Sequence, residues 1–228
     1  MLLTYMDYPI IIVYLLPAIL ISLTIHELSH AYTSYRLGDP TAKNMGRLTL
    51  NPLKHLDVFG TIMLLVSRFG WAKPVPINPT YYKDYKKGTM IVSLAGPMSN
   101  ILLATIFSIP LMYFGTKYNI RSLGQTLFSQ DYRAIIYNFS SLMVDINIGL
   151  AVFNILPIPP LDGSKILSGI LPNKQYYKLL QYENQVGMIF ILIVFVIPGV
   201  LNFVMSPFIR IVETIINLIV TPIVKMIL

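Results

Sequence analysis

The chain has 228 residues, 55% hydrophobic and 12% charged, with a mean hydropathy of +0.65; this exceeds the apolar content of an ordinary water-soluble domain and points to a bilayer as its solvent. Its formal net charge of +7 lies mainly in loops, which fits the positive-inside bias of membrane proteins and argues against a nucleic-acid partner. Cysteine is absent, so disulfides and thiolate metal sites are excluded, and any transition metal must be held by carboxylates and the three histidines.

A membrane helix needs roughly 20 apolar residues, and about five or six membrane segments fit the chain. The expectation is an all-α polytopic membrane protein, 1–228, forming a single integral-membrane domain. Residues 1–9 carry no Lys or Arg, so no cleavable signal peptide is expected and the first helix, about 9–37, should be retained. Gly38-Asp39-Pro40 stops that helix, and Pro17 is a candidate kink. Residues 41–57 form a polar interfacial loop. The apolar run 58–69 is short for a span and reads as a short or re-entrant helix. Residues 71–79 hold Pro74, Pro76 and Pro79 in alternation, which resists helix and predicts a short extended or β-hairpin segment near the membrane edge.

Residues 89–114 predict a second span, opening on small residues that permit close helix contact. A third, 134–156, contains Asp145, Asn147 and Asn154 and must end at Pro157-Ile158-Pro159-Pro160-Leu161-Asp162-Gly163. The stretch 186–228 supplies one or two spans, with breaks expected near Pro198-Gly199 and Pro207. With 58–79 re-entrant, one face collects Lys43, Arg47, Lys54, Lys83, Lys86, Lys87, Lys165, Lys174 and Lys178, against Lys117, Arg121 and Arg133 opposite. The lysine-rich face is then cytoplasmic.

The chemistry concentrates in His26-Glu27-Leu28-Ser29-His30. Positions i and i+4 share a helix face, so His26 and His30 can bind one Zn²⁺ while Glu27 lies beside them as a base. In a soluble chain this pattern is often incidental. Within a span, ionisable groups are costly enough to need a partner, and a dication is one. A catalytic zinc takes a third protein ligand and keeps a position open for water. His55 and Asp145 are candidates, but Asp162 follows a proline-broken span on the same side as His30 and is the choice.

Taken together, the His26 to His30 motif and Asn154-Ile155-Leu156-Pro157-Ile158-Pro159-Pro160-Leu161-Asp162-Gly163 resemble the site-2 protease family of intramembrane zinc metalloproteases. Residues 71–79 and Gly96-Pro97-Met98-Ser99-Asn100 extend the likeness over most of 25–163, which is closest to the short bacterial type without a PDZ or CBS domain. The resemblance implies a catalytic core of about 9–165, His26, His30 and Asp162 as ligands of one catalytic Zn²⁺, and Glu27 as general base. It implies Asn154 as a contact to substrate backbone or the developing oxyanion, and an extended 71–79 region that pairs with an unwound substrate. The expected activity is hydrolysis of peptide bonds within or near a transmembrane segment of a protein or peptide substrate, in a cell membrane, with the site open toward the cytoplasm.

Two other readings use the same residues: a zinc- or proton-coupled transporter, and an inactive protease-like scaffold. The convergence of polar residues on one place and the lack of a repeat weigh against the first, and the intact Glu27 against the second. Bland alternatives stand beside several polar residues. His55 reads equally as a hydrogen-bonded loop group, Asn100 as a helix–helix contact beside Gly96, and Asp145 as a paired or cavity-exposed acid. The tyrosines near predicted interfaces read as headgroup anchors.

Overall fold

The structure, a computed structural model, describes residues 10–57, 60, 72–197 and 199–228. In chain order its helices are α1 (Ile11–Arg36), α2 (Thr41–Asn44), α3 (Tyr85–Lys117), α4 (Leu123–Thr126), α5 (Tyr132–Ile155), α6 (Asp162–Ile170), α7 (Asn173–Val196) and α8 (Val200–Ile227), with 3-10 turns at Pro52–Lys54 and Pro79–Tyr81. Four of them, α1, α3, α5 and α8, are long and apolar enough to cross a membrane. The chain is therefore an all-α polytopic membrane protein, with fewer such helices among the described residues than the five or six expected. The polar opening of α7, Asn173-Lys174-Gln175, leaves its apolar part short of a span. The run 58–69, apart from Gly60, lies outside the described residues, as does Trp71.

The expected break near residue 198 occurs, at Gly199 with φ +83°, but the break expected at Pro207 does not. Pro207 and Pro222 both sit inside α8, and Pro17 inside α1. A proline removes one backbone donor, which helices in a bilayer tolerate by local adjustment; a left-handed glycine ends the helix outright.

Tertiary contacts divide the chain into two compact units. One comprises Met1–Ser22, Asn100–Leu150 and Met205–Leu228. Its apolar centre is Ile11, Tyr14, Ala18, Leu123, Leu127, Leu142 and Met143, packed by Leu15, Phe107, Phe139 and Ile146. Within it, Asn100 Nδ2 donates to Asn147 Oδ1 at 2.7 Å, and Asn147 Nδ2 donates to Ser22 Oγ at 2.7 Å. Asn100 thus makes a helix–helix contact, from α3 to α5. Asp145 belongs to this unit and lies on an exposed part of α5.

The other unit comprises Leu23–Ser99 and Ala151–Val204. Here α1 ends in a Schellman motif: Gly38 takes φ +104°, its N–H donates to Tyr35 O, and Asp39 N–H donates to Ser34 O. The turn aims Asp39 inward, where its carboxylate accepts from Ser34 Oγ at 2.8 Å, Thr41 N at 2.9 Å and Asn78 N at 2.7 Å. A second such stop follows α2, with Gly46 at φ +66° and Arg47 N–H donating to Ala42 O. Arg47 is thereby buried, and its guanidinium donates to Lys73 O at 2.6 Å and Pro74 O at 3.2 Å.

Residues 73–78 form neither helix nor strand, and Asn78 has extended backbone angles. Among the described residues they build no hairpin ladder; a single antiparallel bridge joins Leu56 and Ala72, and Lys73 N–H donates to His55 O. Pro74, Pro76 and Pro79 have no N–H to continue pairing.

Candidate metal centre

The second half of α1 presents His26 and His30 on one face, four residues apart, as helical geometry requires. Asp162 arrives from the start of α6. The helix α5 stops at Ile155, prolines carry the chain around, and α6 opens at Asp162. Gly163 permits this turn, because a Cβ at 163 would lie 2.0 Å from Ile155 O. No other residue type fits so close an approach.

His26 Nε2 and His30 Nε2 are 3.0 Å apart, and Asp162 Oδ2 lies 3.3 Å from the first and 3.1 Å from the second. All three residues are at most 9% exposed. His30 Nδ1 is 2.7 Å from Val92 O. A carbonyl only accepts, so Nδ1 carries the proton and Nε2 turns a lone pair toward His26 and Asp162. Asp162 Oδ2 is buried and makes no hydrogen bond of adequate geometry despite these near neighbours.

Two imidazole nitrogens and a carboxylate oxygen converging in a buried space suit a cation. A tetrahedral zinc with bonds of about 2.0–2.1 Å sets its donors about 3.3 Å apart, close to the separations seen here. These residues form the group able to hold a metal among the described residues, and the donor set fits zinc.

The donors line a cavity of about 140 Å³ together with Glu27, Pro74, Val75, Ile77, Val92, Ser93, Asn154, Pro160 and Lys165. Glu27 is 9% exposed, and its Oε2 accepts the Val75 N–H at 3.0 Å. Every residue singled out for the site in the sequence, His26, Glu27, His30, Asn154 and Asp162, is therefore in one cavity. His55 is not: it is buried in its loop, with Nε2 2.9 Å from Thr49 O. Sequence reasoning missed Lys165, although its spacing from Asp162 on α6 puts both on one helix face. It also missed the Val92 carbonyl and Arg47, whose partners lie far away in the sequence and leave no local signal.

Comparison with known proteins agrees with this geometry. The model of Peptidase family M50 matches residues 14–197. The chain is 42% identical over 197 residues to "Putative zinc metalloprotease YwhC" of Bacillus subtilis, covering 85% of each chain. It is 30% identical over 186 residues to "Putative zinc metalloprotease Rip2" of Mycolicibacterium smegmatis, covering 79% of this chain and 65% of that one. A third relative, "Putative zinc metalloprotease MJ0611" of Methanocaldococcus jannaschii, is 35% identical over 112 residues, 48% of this chain and 49% of its own. No solved structure matches. With a family match running from the first membrane helix to the end of α7, and a histidine, histidine and aspartate cluster inside it, the chain belongs to peptidase family M50, the site-2 proteases.

Proposed function

We propose that this protein is a zinc endopeptidase of a cell membrane that cuts peptide bonds within or near a transmembrane segment of another membrane protein. The observation that carries the reading is the convergence of His26 Nε2, His30 Nε2 and Asp162 Oδ2 beside the buried carboxylate of Glu27. His26, His30 and Asp162 would hold one zinc ion. When bound, that ion supplies Lewis acidity, which polarises a peptide carbonyl and makes water acidic enough to be deprotonated near neutral pH.

The protein's own groups supply the rest. Glu27 takes a proton from the attacking water and passes it to the nitrogen of the broken bond, leaving a carboxylate on one fragment and an amine on the other. Asn154, in the same cavity, has a side-chain amide suited to the substrate backbone or to a developing oxyanion. The proline-rich segment 73–78 offers the substrate an edge. In extended chain, residues two apart send their backbone groups to the same side, so pairing with substrate as a strand would put Ile77 on one edge with Val75, whose N–H already points to Glu27. A substrate helix hides its amides in its own hydrogen bonds, and local unwinding onto such an edge would expose them. The lysine-rich loops support a cytoplasmic opening.

The test is purified protein in detergent or nanodiscs with a single-span substrate. Glu27→Gln should retain zinc while proteolysis falls by about 100-fold or more. Undiminished cleavage by that variant would defeat the assignment of the base, and full zinc retention by Asp162→Ala would defeat the third ligand.

A further inference from the structure

Gly96 lies in the interior of α3, one turn beyond Val92, and is buried. A Cβ placed there would stand 2.5 Å from His30 Nε2, 2.6 Å from His30 Cε1 and 2.6 Å from His26 Cε1. Real Cβ atoms do not approach other heavy atoms so closely, so a side chain at 96 would displace one or both rings. The rings have little freedom to yield. His30 is tethered through Nδ1 to Val92 O at 2.7 Å, and the two imidazoles pack edge to face with centroids 4.7 Å apart. Glycine weakens a helix interior relative to alanine, so its presence here runs against local helix preference. Gly149, inside α5, has nothing within 4 Å of its equivalent position. The constraint therefore belongs to position 96 and does not extend to every glycine in these helices.

We propose that Gly96 is a positioning residue for the metal centre: its missing side chain is the space in which the His26 and His30 rings align their Nε2 atoms with Asp162. The proposal rests on the metal-site reading above. Any larger residue at 96 rotates a ring out of that alignment while leaving all three ligands and Glu27 in the sequence.

The experiment uses the full chain in nanodiscs, comparing wild type, Gly96→Ala and Gly149→Ala. Zinc affinity is measured by chelator competition and melting temperature on metal-free protein. Gly96→Ala should bind zinc about 10- to 100-fold more weakly, the scale of losing an outer-shell constraint, whereas Gly149→Ala should match wild type. Metal-free Gly96→Ala should also melt lower than wild type, and that loss should disappear when Gly96→Ala is made in a His26→Ala, His30→Ala background, where no ring remains to be struck. Wild-type zinc affinity in Gly96→Ala would overturn the proposal, as would a melting loss unchanged by removal of both histidines. If wild type itself binds no zinc, the metal reading fails, and the metal-free melting comparison still decides whether Gly96 makes room for the rings.

Discussion

The backbone N–H of Val75 donates to Glu27 Oε2 at 3.0 Å, joining the proline-rich segment 73–78 to the candidate base across 48 positions of sequence. This hydrogen bond to an ionisable carboxylate fixes which oxygen of Glu27 is engaged by protein and which is left for chemistry. Val75→Pro removes the donor, and Val75→Ala keeps it. Hydrogen bonds to charged groups contribute about 1.5–3 kcal/mol, so cleavage by Val75→Pro should fall about 10- to 100-fold with zinc content preserved. Val75→Ala should lose much less. Equal losses in the two variants, read as kcat on one substrate, would show that the side chain and not the N–H matters.

Arg47 holds the other side of that segment by donating to Lys73 O and Pro74 O. Arg47→Met retains a long apolar stem but neither donor, leaving two carbonyls to find other partners. Amide exchange of Val75 and Ile77 should then speed by about tenfold or more, as expected from the loss of one or two hydrogen bonds. The amides of α5 should be unaffected. The readout is hydrogen–deuterium exchange by mass spectrometry on peptides covering 72–84, and unchanged protection there would remove Arg47 from the support of the segment.

Asp39 ties the end of α1 to Thr41 and Asn78. Burial works to raise its carboxyl, but hydrogen bonds from Asn78, Thr41 and Ser34 prevail and hold it below the ordinary carboxylate value. A folded pKa below the unfolded one gives stability that is complete above the unfolded value, about 3.9, and is lost as pH falls through the folded value. Melting curves from pH 7 to pH 3 should therefore show Asp39→Asn less stable than wild type at neutral pH, with the difference narrowing as acid protonates the native carboxyl. A constant difference across the range would separate the loss from titration of Asp39.

In the unit that holds Asn100, Asn147 and Ser22, replacing Asn147 removes the 2.7 Å acceptor of the Asn100 amide, which keeps only the longer contact to Ser22 O at 3.4 Å among the bonds described, and removes the donor to Ser22 Oγ. Asn147→Leu should cost about 1 kcal/mol, the scale of side-chain hydrogen bonds between membrane helices, and should leave zinc affinity unchanged. Unfolding in a denaturant series reads the first and chelator competition the second. A large loss of zinc with no loss of stability would place this network in the metal site instead of the helix packing.

Much of the site was readable before any fold was known, for reasons tied to particular residues. His26, Glu27 and His30 fall within one helical turn, so local geometry alone brings them together. Asp162 follows prolines that must end a helix, and Asn154 lies in the same broken motif. Arg47, Val92 and Gly96 were not readable in those roles. Arg47 and Val92 act on residues 26 and 62 positions away, and the importance of Gly96 is the absence of a side chain. Proline was over-read at 207, where α8 continues through it; helices in a bilayer accommodate a missing donor more readily than the soluble rule suggests.

By itself the sequence determined that the chain is a membrane protein of apolar helices and that two histidines and a glutamate share one helix face. Helical period and the cost of polar groups in lipid act locally and need no partner. Only the tertiary structure decided that Asp162 Oδ2 comes within 3.3 Å of both imidazoles, that Val75 engages Glu27, and that α3 clears space at Gly96. These are relations between segments far apart in the chain, set by packing and by where buried backbone groups find partners, and no local pattern encodes them.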